Sequence, residues 1–175
     1  FGSRGTGNTL VRDKDELSNW TRNKDFGNYI FENYMSFLLE YRLHVTKDGC
    51  FYSCRKALIK TAPESERWRR HKDNSVWLLE TNPDFHKPNS WNDIIKSCVN
   101  ALTEIGADVL SFDVKVQSRV DKDGELREYQ DFILIECNSA SSLQSPHNQE
   151  VSVCASKYLE ILPKLITDKA NEEKN

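Results

Sequence analysis

The chain has 175 residues, of which 29% are charged, and a net charge of −3. That length can bury one real core, and the charge balance excludes a global polycation built for nucleic acid. A mean hydropathy of −0.67 and the absence of any run near the ~20 apolar residues of a membrane helix exclude a helical span.

The start at Phe1 is neither a signal peptide nor an initiator methionine, so residues upstream are expected. Gly2-Ser3-Arg4-Gly5-Thr6-Gly7 sets three glycines in six residues, a composition that lets backbone amides approach phosphate oxygens. It lacks the Gly-Lys-Ser/Thr of a Walker A loop. A strand is expected after it, at Asn8–Val11, where a dinucleotide fingerprint would open a helix. A flexible terminus explains the glycines equally well. Asp13–Asn23 predicts a helix with Asp13 as N-cap and Glu16 as its capping-box partner.

Tyr29–Phe31 and Leu38–Val45 read as strands, broken around Asn33–Ser36. Lys47-Asp48-Gly49 turns the chain into a return strand, Cys50–Ile59. Val76–Glu80 is a short strand. Ser90–Ile105 is the clearest helix: Ser90 caps it, Ile94, Ile95, Cys98, Leu102 and Ile105 share a face, and Gly106 ends it. Val109–Val116 and Asp131–Glu136 form a second hairpin across Asp121-Lys122-Asp123-Gly124. Val151–Ile166 is a last amphipathic helix whose final turn Pro163 perturbs, and the charged tail from Asp168 frays. This order predicts an α+β fold, a mostly antiparallel sheet backed by helices.

Five cysteines in irregular spacing, with no pair of CxxC motifs, argue against structural zinc and for a reduced, cytosolic compartment. Cys50 and Cys54 have same-face strand spacing. Cys137 alternates with its neighbours and is expected to point into the core as an apolar filler. Trp20, Trp77 and Trp91 read as packing residues, and His44, His86 and His147 as structural or exposed. His71 has no partner His at ligand spacing.

The chemistry concentrates in two strands. Ser111-Phe112-Asp113-Val114-Lys115 delivers one carboxylate; Phe132-Ile133-Leu134-Ile135-Glu136-Cys137-Asn138 delivers a second carboxylate and an amide. Glu136 and Asn138, two apart, project together, and Asp113 can face them from the neighbouring strand. Two carboxylates and an amide oxygen form a hard-oxygen set of the kind that holds Mg²⁺ against nucleotide phosphates. The bland explanation is a hairpin with solvated polar tips. In Glu40-Tyr41-Arg42 the Glu can accept from a ribose hydroxyl and the Arg can meet phosphate, or the two can be a solvated cross-strand ion pair. Arg55-Lys56, on the return strand, brings further positive charge. Arg67-Trp68-Arg69-Arg70-His71-Lys72-Asp73-Asn74 is the densest basic run. It can grip a triphosphate, stack on RNA bases, or be a solvated loop.

The order of these features resembles the ATP-grasp family, over nearly all of residues 1–145: the glycine-rich loop, "EYR", "RK", the Arg/Asn loop, the helix ending "ALTEIGAD", "FDVK" and "LIECNSASSL". The likeness is to ribosomal-protein glutamate ligases, D-alanine–D-alanine ligase and phage-encoded ATP-grasp proteins. It implies an ATP-grasp fold with a small subdomain over 1–60 and a C-terminal subdomain with the Mg²⁺ site over 61–175. Gly5, Thr6 and Gly7 would lie in the mobile loop over the phosphates, Glu32 at the adenine linker and Glu40 at the ribose, with Arg42 beside it. Arg55 and Arg70 would meet phosphates or an acyl-phosphate, Asn74 would orient near them, and Lys115 would contact substrate or phosphate. Asp113, Glu136 and Asn138 would hold Mg²⁺.

The implied activity is an ATP- and Mg²⁺-dependent carboxylate–amine ligase that activates a carboxylate as an acyl-phosphate. Its partners would be small-molecule or peptide carboxylates and amines, and an upstream domain or partner chain, with neither nucleic acid nor membrane. Two departures stand against it. The family's upstream phosphate-binding lysines cannot be located, and Ala140-Ser141-Ser142-Leu143 lacks the usual Pro-Gly. The alternatives are a non-catalytic nucleotide-binding or structural module, for example in a virion assembly, and an RNA-binding protein.

Overall fold

The computed structural model describes residues 8–22, 24–35, 37–71, 73–123, 126–139 and 149–172. Gly5, Thr6 and Gly7 lie outside the described residues, as does Gly124 of the second hairpin turn. The chain divides into two compact units. One holds the described parts of Phe1–Ser36 with Leu58–Ser75; the other holds the described parts of Phe37–Ala57 with Val76–Asn175.

In the first unit, helix α1 spans Lys14–Thr21. Asp13 caps it, accepting from the Asp15 and Glu16 amides at 2.9 and 2.8 Å. The Glu16 carboxylate reaches back one residue further than a capping box requires, to the Arg12 amide at 2.9 Å. Neither Asn8–Val11 nor Tyr29–Phe31 forms a strand. Their apolar side chains have no sheet neighbour to bury them, and short β-formers without a partner strand do not hold an extended ladder. Tyr29 and Phe31 instead set their rings edge-on to Trp20, at 4.8 and 6.0 Å between centroids.

The second unit contains the sheet. Strands β1 (Leu39–Thr46), β2 (Gly49–Leu58), β3 (Ser75–Leu79), β4 (Leu110–Val120) and β5 (Leu126–Asn138) line up in the order β3-β2-β1-β4-β5. β1 runs antiparallel to β2 and β4, and β4 to β5. β1, in the middle, is buried on both faces. Leu39, Tyr41, Leu43 and Val45 of β1 and Leu110, Phe112, Val114 and Val116 of β4 form one apolar face. Helix α2 (Trp91–Ile105) covers it with Trp91, Ile94, Cys98 and Leu102. Burying a side chain such as Leu43 completely is worth about 1.5–3 kcal/mol.

Gly106 ends α2 in the left-handed region, at φ 74°, and its amide returns to Leu102 and Thr103 carbonyls. Ser90 stands at the N-cap but makes no side-chain cap bond. Its ψ of 12° lies outside the extended region a capping side chain uses. Ile105, at the C-terminal end of the helix on the same face as Ile94, is exposed.

Helix α3 runs Gln149–Glu172, straight through Pro163. Residues 168–172, expected to fray, continue the helix, and Asp168 and Glu172 pair with Lys47 at 3.2 and 3.6 Å; the rest of that tail lies outside the described residues. The inner face of α3 supplies Cys154 and Tyr158 to a second apolar cluster with Tyr52, Cys54, Phe51 and Trp77, on the sheet face away from α2.

Of three register shifts in the described ladders, two alter which side chains share a face; the third, between Val116 and Ser118, adds two residues on β5 and keeps the alternation. β2 carries one extra residue, Phe51, between His44↔Tyr52 and Val45↔Cys50. β5 carries one, Ile135, between Asp113↔Glu136 and Val114↔Leu134. An extra residue on one strand reverses the alternation beyond it. Cys50 and Cys54 therefore lie on opposite faces, against the same-face expectation. All five cysteines are free. Cys137 is exposed, although its neighbour across the ladder, Phe112, is core. β5 is the edge strand and α2 does not extend over it, so Cys137 fills no interior space.

Candidate functional site

The sheet face away from α2 gathers the polar side chains. In β1 these are Glu40, Arg42 and His44, opposed in β2 by Lys56, Cys54 and Tyr52 and in β4 by Lys115, Asp113 and Ser111. Glu136 faces Asp113 directly across the β4–β5 ladder, and Asn138 faces Ser111. Asp113, Glu136 and Asn138 thus stand side by side. The Asn138 amide nitrogen donates to a Glu136 oxygen at 3.3 Å.

Asp113 is already engaged. The Arg42 Nε donates to one carboxylate oxygen at 2.6 Å and an Nη to the other at 2.8 Å. Their side chains are only 15% and 12% exposed, so the bidentate pair is largely shielded from water. Lys56 pairs with Glu40 at 3.2 Å. The ring of Trp77 supports both cations, with the Arg42 guanidinium 4.7 Å and the Lys56 ammonium 5.4 Å from its centroid. Trp77 is therefore part of this polar face as well as of the core. Lys115 lies across the ladder from Glu40, so that three cations and three carboxylates flank one another here among the described residues.

At the end of this face covered by α3, His44 is fully buried. It shares a 2.9 Å hydrogen bond with the Tyr158 hydroxyl, and Cys154 Sγ lies 3.9 Å from its Nε2. Burial first, and the positive charge of Arg42 second, lower His44 to about 4, with Asp113 opposing. Burial pushes the Tyr158 phenol up to about 12, so both groups are neutral near pH 7.

Of the other residues singled out in the sequence, Arg55 is in the same unit and stands on the other face, while Asn74, Arg70 and Glu32 belong to the first unit. Arg55 lies across from Tyr41, on the α2 face, where its Nη1 donates to the Asp84 carbonyl at 2.9 Å. Without the extra Phe51 the ladder would have set Arg55 against Glu40; with it, Lys56 takes that place. Asn74 belongs to the first unit and is buried. Its Nδ2 donates to the Glu66 and Arg69 carbonyls at 3.2 and 3.0 Å, and its Oδ1 accepts from the His71 amide at 2.8 Å. These bonds make it the bracket of the basic loop. In that loop Arg67 donates to the Ala62 and Lys60 carbonyls and Arg69 pairs with Glu66. Arg70 is half-buried there, and Glu32 is exposed on irregular chain in the same unit.

The hard-oxygen set fits a small divalent cation by donor chemistry, since carboxylate and amide oxygens suit Mg²⁺. It supplies two carboxylates and one amide; among the described residues no three His, Cys, Asp or Glu side chains gather around a common point. No described helix is long and apolar enough to cross a membrane.

No family model matches the chain, and no curated protein does. Among solved structures it is similar to the ATP-grasp ligase PsnB complexed with minimal precursor. The identity is 15% and the TM-score 0.35, over 71% of this chain and 35% of that one. The chain thus spans about a third of the length of that ligase.

Proposed function

We propose that the chain is the nucleotide-binding part of an ATP- and Mg²⁺-dependent carboxylate–amine ligase. The observation that carries this reading is the pairing of Asp113 with Glu136 across β4–β5, with Asn138 beside them and Arg42, Lys56 and Lys115 on the same face. A phosphate chain needs this combination: hard oxygens for its cation and fixed cations for its own charge.

Asp113, Glu136 and Asn138 would hold Mg²⁺, which when bound neutralises charge on a transferring phosphoryl group. Lys56 and Lys115 are placed to balance the remaining anionic charge. Trp77 limits where the Arg42 and Lys56 heads can go. The side chains on this face position and neutralise; its two cysteines, Cys54 and Cys154, are fully buried, so neither is presented as a nucleophile. Chemistry that needs no covalent enzyme intermediate, such as transfer through an acyl-phosphate, agrees with that.

The deciding experiment is calorimetric titration with a non-hydrolysable ATP analogue and Mg²⁺, followed by ADP release in the presence of candidate carboxylates. Wild type should bind, and Glu136→Gln should lose at least tenfold in affinity. Loss of that dependence on Glu136 would overturn the site. Binding without carboxylate-dependent ADP release would identify a non-catalytic nucleotide-binding module instead.

A further inference from the structure

We propose that Arg42 is the resident counter-cation of this site, holding Asp113 until a divalent cation takes the carboxylate, and then turning its guanidinium to the anionic ligand across the ring of Trp77. The inference rests on the reading of Asp113, Glu136 and Asn138 as a divalent-cation site.

Three observations carry it. First, both oxygens of Asp113 accept from Arg42, at 2.6 and 2.8 Å. A cation bound at the usual 2.0–2.1 Å from a carboxylate oxygen would stand against the guanidinium, like charge to like, in a shielded place where screening is weak. The two cations therefore compete for Asp113. Second, among the described residues that flank Arg42 on the three neighbouring strands the charges balance as they stand: Arg42, Lys56 and Lys115 against Glu40, Asp113 and Glu136. A divalent cation alone would leave an excess of two positive charges; a cation arriving with a polyphosphate would not. Third, Arg42 has somewhere to go. Its guanidinium lies 4.7 Å from the Trp77 centroid, and an indole face keeps a cation close without fixing its direction. Arginine suits both states, because its planar fork matches a carboxylate and a phosphate alike.

The consequence is coupling. Metal binding frees Arg42 for the nucleotide, and nucleotide binding draws Arg42 off the metal's ligand, so each raises the affinity of the other by the same factor. Arg42 would make the site respond to the metal–nucleotide pair and weakly to either alone.

The test is Mn²⁺ titration by calorimetry, with and without a non-hydrolysable ATP analogue, on wild type, Arg42→Met and Arg42→Lys. Arg42→Met should bind Mn²⁺ alone at least tenfold more tightly than wild type, and its coupling to the analogue should fall toward unity. Arg42→Lys keeps the charge but loses the two-point grip, so it should move the same way by a smaller factor, and it covers the case in which Arg42→Met does not fold. Mg²⁺ added with the analogue should change tryptophan emission in wild type, and this change should vanish in Trp77→Phe. Unchanged or weaker Mn²⁺ binding in the Arg42 variants, with wild type binding both metal and analogue, would overturn the inference and leave the site reading intact. If wild type bound neither, both would fall.

Discussion

Single residues here take their roles from what surrounds them more than from their type. Cys137 is the only cysteine that the fold leaves exposed; Cys54, Cys98 and Cys154 are buried and Cys50 is half-buried. Burial holds the Cys50 and Cys98 thiols near 12, where almost no reactive thiolate exists at neutral pH. Iodoacetamide at pH 8 should therefore label Cys137 first in the native protein. Mass spectrometry would show the fast label disappear in Cys137→Ser; rapid labelling of the other four would contradict the packing described. Gly106 is also set by its surroundings. No atom lies within 4 Å of where a Cβ would stand, so Gly106→Ala meets only the backbone strain of φ 74°. It should destabilise the protein by about 1 kcal/mol, a drop of a few degrees in thermal midpoint.

Among elements, α3 depends most on a titratable contact. It docks through Tyr158 and Cys154 against His44. The folded pKa of His44, about 4, lies below its ordinary 6.5, so the unfolded chain takes up the proton first on acidification. This contribution is fully present above pH 6.5 and is lost as pH falls toward 4, amounting to about 3 kcal/mol. Urea unfolding at pH 7 and pH 4.5 should show it, and His44→Phe should flatten the difference. Tyr158→Phe should cost about 1 kcal/mol at pH 7 by removing the shared hydrogen bond. The charged partners facing this helix, Lys47 and Asp48 in the β1–β2 turn, bond to Asp168 and Lys164 and lie at the surface, where salt weakens them.

Over the whole molecule, stability is unevenly distributed. Both apolar clusters belong to the unit built on the sheet. The other unit exposes Tyr29, Ile30, Phe31, Tyr34 and Met35 along irregular chain. Local opening is easiest where few apolar contacts and few backbone bonds must break. Brief digestion with chymotrypsin should cut after Tyr29, Phe31 or Tyr34 before any aromatic of β1, β2 or β4. First cleavage at Tyr41, Tyr52 or Phe112 would contradict this distribution.

The strength of local signals explains what was legible in the sequence. Asp13 capping α1, Gly106 closing α2, the turn before Gly49 and the two hairpins are visible because they are decided within a few residues, by side-chain capping, backbone freedom and alternation. The hard-oxygen residues Asp113, Glu136 and Asn138 were visible for the same reason, as polar ends on apolar strands. What only the tertiary structure decided is which face each side chain occupies. Strict alternation sets Phe132, Leu134 and Glu136 on one side; the extra Ile135 keeps the first two in the core and turns Glu136 to Asp113. The extra Phe51 likewise brings Lys56, and not Arg55, to Glu40. A bulge leaves no local mark in composition, because it answers to the register of the neighbouring strand. The ring of Trp77 beneath Arg42 and Lys56, and the burial of His44 beneath α3, follow from contacts far apart in the chain, which no window of sequence contains.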